Sequence, residues 1–422
     1  MAKIKRDKGL DNTLRVFKQG YLYTTNQRER LGAEVFETRA LGGKSYVVLS
    51  GKEGAELFYD NDKIEREGGL PRRVVNTLFG KGAIHTTTGK QHIDRKALFM
   101  SLMTEGNLEY VRKLTRNYWK ANTARMEAMG DVNVYHESIV LLTRIGMRWA
   151  GVTAPEEEIE RIAEDMDIMI DSFKGLGNAF KGYKSSKDAR KRVEDWLEDQ
   201  IIKTRNGEIN PPKGSSLYEF AHWRDYEGNH MDSRLAGIDL MNTFRPLIAI
   251  NRFVSYGVLA LYENPEAIRK MSTVEDYPYM FAQEVRRFYP FVPFLPGKTK
   301  VEVEHKGVTI PKDQRLVIDV YGTLHSEELW DQPNKFIPER FKDWDGSPFD
   351  MIPQGGGDYW TNHRCAGEWI TIIIMEETMK YFANEITWDV PEQDLTIDLN
   401  SIPGYINSGM VINNVREKVD RF

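Results

Sequence analysis

Residues 353–369 read Pro353-Gln-Gly-Gly-Gly-Asp-Tyr-Trp-Thr-Asn-His-Arg-Cys365-Ala-Gly-Glu-Trp369. A glycine-rich loop delivers the only cysteine of the chain to the start of an apolar helix. Backbone N–H groups at a helix N-terminus favour a thiolate and lower a thiol's pKa. Gly367 leaves no side-chain bulk beside the sulfur, so a flat macrocycle can approach the backbone. The combination suits a thiolate axial ligand to haem iron. Taken alone, a lone cysteine in this setting is more often a small buried hydrophobe. The assignment therefore depends on what accompanies it.

Across 422 residues, one cysteine excludes an intrachain disulfide framework and every cysteine-rich metal site. A single thiol fits a reducing compartment, and a cytoplasmic location is the expectation. The opening MAKIKRDKGLDN lacks the apolar stretch of a secretory signal. The longest apolar run, Trp369 to Met375, falls far short of the ~20 residues a bilayer span needs, so no transmembrane anchor is expected. A net charge of −5 argues against a nucleic-acid partner. A prior of about 150 residues per domain suggests two or three domains. No repeat, low-complexity tract or linker marks a boundary between them.

The periodicity predicts mostly helix with a minor sheet. Tyr46–Leu49, Lys300–Glu304 and Arg315–Val320 alternate like strands. Pro155 followed by three glutamates opens one helix, with acids suited to its dipole. Lys187 to Arg205 forms a charged helix with an apolar face. A long helix from Asp232 or Ser233 to Tyr262 is apolar on nearly all sides, as buried central helices are. Another helix covers Tyr277 to Phe288 and stops at Pro290. The last begins just after Cys365 and ends near Glu385.

Some motifs fail on inspection. Gly42-Gly43-Lys44-Ser45 lacks the first glycine of a phosphate-binding loop and leads into a strand. Gly355-Gly356-Gly357 lacks dinucleotide-binding spacing. His363 and Cys365 are too few and too close for a zinc site. Two other segments change the weight of the cysteine. Glu284-Val-Arg-Arg287 places an acid and a guanidinium at i, i+3, which alone is a routine helix ion pair. Phe336-Ile-Pro-Glu-Arg-Phe341 follows, before the cysteine loop. The order E-x-x-R, P-E-R-F, G-x-x-x-H-R-C-A-G is hard to obtain by accident.

On these motifs the sequence resembles the cytochrome P-450 superfamily of haem-thiolate enzymes. Within it the resemblance is to the bacterial fatty-acid peroxygenases, above all the olefin-forming fatty-acid decarboxylase branch. It runs from Arg6-Asp-Lys-Gly-Leu-Asp11 to Val415-Arg-Glu-Lys-Val-Asp420. It implies a mainly α fold with a minor β region, the P-450 fold, and one haem-binding domain over residues 1–422. Haem b is the implied cofactor, with Cys365 as axial ligand to its iron. Ordinary members carry an acid–alcohol pair in the long central helix. Here that segment reads Met241-Asn-Thr-Phe-Arg245-Pro246. A buried arginine needs an anion, and its planar fork suits a carboxylate. The other reading of Arg245 is an internal ion pair with a neighbouring acid. Pro246 removes a backbone donor and disturbs the helix.

The resemblance implies a long-chain fatty acid as substrate, its carboxylate on Arg245, and hydrogen peroxide as oxidant. A redox partner is then not required. The expected outcome is oxidative decarboxylation to a terminal alkene, with α- or β-hydroxylation as a side reaction. His85, in Phe79-Gly-Lys-Gly-Ala-Ile-His85, matches the haem-distal histidine of decarboxylating relatives, where hydroxylating ones commonly carry glutamine. Imidazole titrates near neutrality, so a proton-transfer role is expected of it. His92, Lys96 and His363 are implied contacts of the haem propionates. Phe79, Ile170, Phe173, Pro246, Val292 and Phe294 are the implied tunnel wall, and Glu284 with Arg287 a structural motif. Three alternatives stand beside this reading: a peroxide-driven fatty-acid hydroxylase, a monooxygenase needing redox partners, and a non-catalytic haem or lipid carrier.

Overall fold

The structure, a computed structural model, describes residues 3–69, 72–171, 179–225 and 227–418. Its centre is the Ser233–Ala249 helix. Asp232 caps it by accepting from the Leu235 N–H at 3.0 Å, which satisfies one of the orphan donors of the first turn. Ala236, Leu240, Met241, Phe244 and Ile248 are fully buried along it. The Val134–Ala150, Glu156–Ile170, Ala179–Arg205 and Ser216–His222 helices pack around it. At Gly237 the neighbouring Ala179–Arg205 helix comes so close that a Cβ would lie 3.0 Å from the Glu198 nitrogen, so that crossing requires glycine.

The predicted helix from residue 232 or 233 to Tyr262 is two helices, Ser233–Ala249 and Asn251–Glu263, divided at Ile250. Pro246 has no N–H to give the Asn242 carbonyl, and the Ile250 N–H reaches the Pro246 carbonyl at a long 3.3 Å. The helix over Tyr277–Phe288 forms as expected. So does Glu156–Ile170, with three glutamates in its first turn. The charged helix begins earlier than expected, at Ala179.

Six strands form one sheet in the order Lys5–Arg6, Phe36–Ala40, Lys44–Leu49, Arg315–Asp319, Phe294–Thr299, Ile64–Glu65. Tyr46 pairs with Arg315 and Leu49 with Ile318 in parallel. Phe294 faces Asp319 antiparallel. Lys300–Glu304 is not one strand. The Lys300 N–H turns aside to the Lys63 carbonyl at 2.7 Å. Pairing resumes only in a separate hairpin, Val303–His305 against Val308–Ile310. Lys306 and Gly307, both at positive φ, turn that hairpin. Among the described residues no helix is long and apolar enough to cross a membrane.

Candidate active site

The cysteine loop is held from below by a buried polar cluster. The Cys365 N–H donates to the Gln354 carbonyl at 3.0 Å. The Gln354 side chain accepts from Arg286 Nε at 3.1 Å and donates to Thr371 Oγ1 at 3.0 Å. Its amide nitrogen also lies 3.9 Å from the Cys365 sulfur. Glu368 gathers Arg286 at 2.5 Å, Arg364 at 2.7 Å and the Tyr359 hydroxyl at 3.1 Å. Burial opposes the Glu368 charge, yet Arg286 and Arg364 hold its carboxyl below the usual range. The terminal helix begins at Glu368, three residues past the cysteine, with Gly367 as its N-cap. The Glu368 N–H donates to the Cys365 carbonyl at 3.3 Å, so the cysteine lies at the entry of that helix, where burial opposes its thiolate while Lys96 and the Gly367 N–H favour it.

One turn of the Gly89–Ser101 helix brings two further residues to this loop. The His92 ring stacks on the His363 ring at 3.9 Å. Lys96 Nζ donates to the Arg364 carbonyl. Burial pushes His92 down to about 4 and Lys96 down to about 8. Arg66 joins them, buried over the Phe58 ring and donating to the Pro296 carbonyl at 2.8 Å. Arg66, His92 and His363 line one cavity of about 180 Å³. Among the described residues neither Arg66 nor Lys96 is ion-paired to a carboxylate.

On the other side stands Arg245, 5% exposed. Its Nη2 donates to Asn242 Oδ1 at 3.2 Å, and its Nε has no partner. No described carboxylate pairs with it, so the internal ion pair is absent. Burial and nearby Arg190 push it down to about 9. The guanidinium carbon lies 5.5 Å from the Phe79 ring, and that ring lies 4.3 Å from His85. The chain leading to His85 needs Gly80 at φ +97, where a Cβ would strike Arg190 and Ile238. Asn242 Nδ2 donates to the Phe79 carbonyl at 3.0 Å, and Arg190 holds the Leu78 and Phe79 carbonyls. His85 Nδ1 is buried without a partner. Burial first, then Arg245 and Lys96, push the imidazole well below its usual value, so it is neutral at pH 7 rather than titrating there. Ile170, Pro246, Val292 and Phe294 are each partly buried. Phe173 lies outside the described residues.

Glu284 and Arg287 are fully buried and meet at 2.7 and 2.8 Å. Arg287 also donates to the Leu324 and Pro333 carbonyls. Glu284 accepts from the Ile337 N–H at 2.8 Å and pairs with Arg340 at 3.1 Å. The two motifs are thus one network, beyond a routine helix ion pair. Arg340 was legible in P-E-R-F, and Arg364 with Glu368 in the i, i+4 spacing of the cysteine segment. Asn242 precedes Arg245 by one helical turn. Arg66 and Gln354 carry no sequence signal, since only the fold brings them near Cys365.

The sequence profile of the cytochrome P-450 family matches residues 256–404. The F79A variant of cytochrome P-450 OleT, solved in complex with arachidonic acid, is 73% identical, with both chains covered over 100% and a TM-score of 0.98. The chain belongs to the cytochrome P-450 family. Cytochrome P-450EX alpha (CYP152N1), solved with myristic acid, is 34% identical over 99% of this chain and 100% of its own, with a TM-score of 0.94. Cytochrome P-450 71D18 of Mentha gracilis is 28% identical over 58% of this chain, and the chain spans only 49% of that curated relative. A P-450 fold implies haem, and the residues present fit it. Around the cysteine loop, Arg66 and Lys96 carry charges that no described carboxylate pairs with, beside His92 and His363, and with the one thiol this matches a metal-bearing ring with two carboxylates.

Proposed function

We propose that this P-450 is a hydrogen-peroxide-dependent fatty-acid decarboxylase acting as one haem-binding domain. The observation that carries the reading is Arg245, a buried guanidinium without a carboxylate beside Phe79 and His85. Such a charge is costly unless a ligand supplies its anion. The fatty acids bound in related structures support a carboxylate as that ligand. In this reading Arg245 anchors the acid bidentately, and Asn242 keeps the guanidinium plane oriented. Phe79 covers the pair, and Ile170, Pro246, Val292 and Phe294 line the path of the chain.

Cys365, with Arg66, His92, Lys96 and His363, would hold the haem, which would supply peroxide cleavage and substrate oxidation when bound. The anchored carboxylate replaces the acid–alcohol pair absent from this helix. It takes and returns a proton of the peroxide at the outer lone pair of a carboxylate oxygen, which the bidentate pairing with Arg245 leaves free. Neutral His85 accepts or relays a proton beside it. The balance is one acid and one peroxide giving one alkene shorter by one carbon, one carbon dioxide and two waters. Hydroxylation instead returns one hydroxy acid and one water. The test is purified holoenzyme with hydrogen peroxide and a long-chain acid, with products read by gas chromatography. Terminal alkene without any reductase supports the reading. Hydroxy acid alone moves the chain to the hydroxylases, and turnover only with a reductase defeats the peroxide dependence.

A further inference from the structure

Arg95 and Asp239 form an ion pair that the proposed chemistry does not use. Arg95 lies on the Gly89–Ser101 helix and Asp239 on the Ser233–Ala249 helix, with side chains 3% and 0% exposed. Arg95 Nε donates to Asp239 Oδ2 at 2.9 Å, and Nη2 reaches the same oxygen. The remaining nitrogen, Nη1, donates to the Gly82 carbonyl at 2.6 Å. The other carboxylate oxygen accepts from the Ile84 N–H at 3.5 Å. The pair therefore grips the chain on both sides of Ala83, immediately before His85.

That grip matters because the His85 ring has little else to place it. Its Nδ1 has no partner, and among the described residues the aromatic ring it meets is Phe79. The ring is aimed by the short turn Ile84–Thr86, which closes through the Thr86 N–H on the Ala83 carbonyl at 2.9 Å. A buried ion pair seldom stabilises a fold more than packed apolar side chains of the same volume, because both charges must be desolvated. What the pair adds is direction: it ties two helices and both ends of one turn to a single geometry. Arg95 is also among the cations that keep His85 neutral.

We propose that Arg95 and Asp239 are positioning residues that fix the His85 turn and so set the ratio of alkene to hydroxy acid, an inference that rests on the proton-transfer reading of His85. The test uses the haem-loaded full chain, hydrogen peroxide and a long-chain acid, comparing wild type, Asp239→Asn, the apolar pair Arg95→Met/Asp239→Leu, His85→Gln, and each pair variant combined with His85→Gln. Product ratio, thermal midpoint and the shift of the haem absorption band on adding the acid are measured. The expected result is a fall in the alkene-to-hydroxy ratio of about threefold or more in both pair variants, and no further fall in the His85→Gln background, as a double-mutant cycle requires of residues acting through one another. The apolar pair is expected to melt near wild type and to keep the band shift, which separates positioning from folding. An unchanged ratio in the pair variants while His85→Gln alters it overturns the proposal. So does the same fold-change with and without His85. If His85→Gln itself leaves the ratio unchanged, the reading of His85 falls first and the proposal falls with it.

Discussion

Arg245 stands with its guanidinium carbon 5.5 Å from the centre of the Phe79 ring, and the same ring touches His85. One aromatic side chain thus meets both the proposed anchor for a carboxylate and the histidine proposed to move a proton. A cation–π contact offsets part of the charge's desolvation but does not replace an anion.

Replacing Arg245 with leucine separates its two effects. Substrate binding loses a buried charged pair, typically about 2–5 kcal/mol, so kcat/KM falls by about thirty-fold or more. The substrate-free protein instead gains stability, by about 1–2 kcal/mol, because an unpaired buried charge has gone. Acid titration of the haem absorption band and urea unfolding measure the two. A variant that loses stability along with binding contradicts an unpaired Arg245.

His85 is held neutral by burial and by surrounding cations. His85→Gln is expected to lower the alkene fraction severalfold in the gas-chromatographic assay. In substrate-free wild type, histidine NMR signals followed from pH 8 to 5.5 are expected to show no titration of His85. A midpoint near 6.5 for that ring contradicts the assignment.

His325 supplies a pH dependence remote from the haem. Burial pushes it down to about 4, and its ring stacks on Tyr321 at 4.1 Å. Between about pH 6.5 and 4 the unfolded chain binds a proton that the folded chain excludes. Stability therefore falls as pH drops through that window, by about 1.4 kcal/mol per unit from this one group, and is level above it. Denaturant unfolding from pH 7.5 to 5 is expected to show a shallower slope in His325→Gln than in wild type.

Glu284 accepts from Arg287, Arg340 and the Ile337 N–H with no exposure to water. Glu284→Gln leaves two guanidinium groups without their anion, at a cost of about 3–5 kcal/mol. Circular dichroism and haem content are expected to report a chain that folds poorly and loads little haem. Normal loading would reduce this network to a helix ion pair.

Cys365→Ala removes the only thiol. The carbon monoxide difference band is expected to leave the haem-thiolate position, with no second cysteine to restore it. A band unmoved in that variant would remove Cys365 as the ligand.

The single cysteine, its glycine-rich approach, E-x-x-R, P-E-R-F and the arginine in place of an acid–alcohol pair were all legible in order along the chain. Apolar periodicity sufficed for a mainly helical chain with a minor sheet, because its cause is local, and the motifs led on to the P-450 fold through the family they resemble. Where the sequence misled, the cause was long-range. His85 was expected to titrate near neutrality, but burial first, and then Arg245, Lys96 and Arg95 from distant segments, push it well below that. Arg66 and Asp239 were silent in sequence for the same reason. Solvent exclusion and the summed field of charges depend on what the whole chain packs together, and only the tertiary structure decides that.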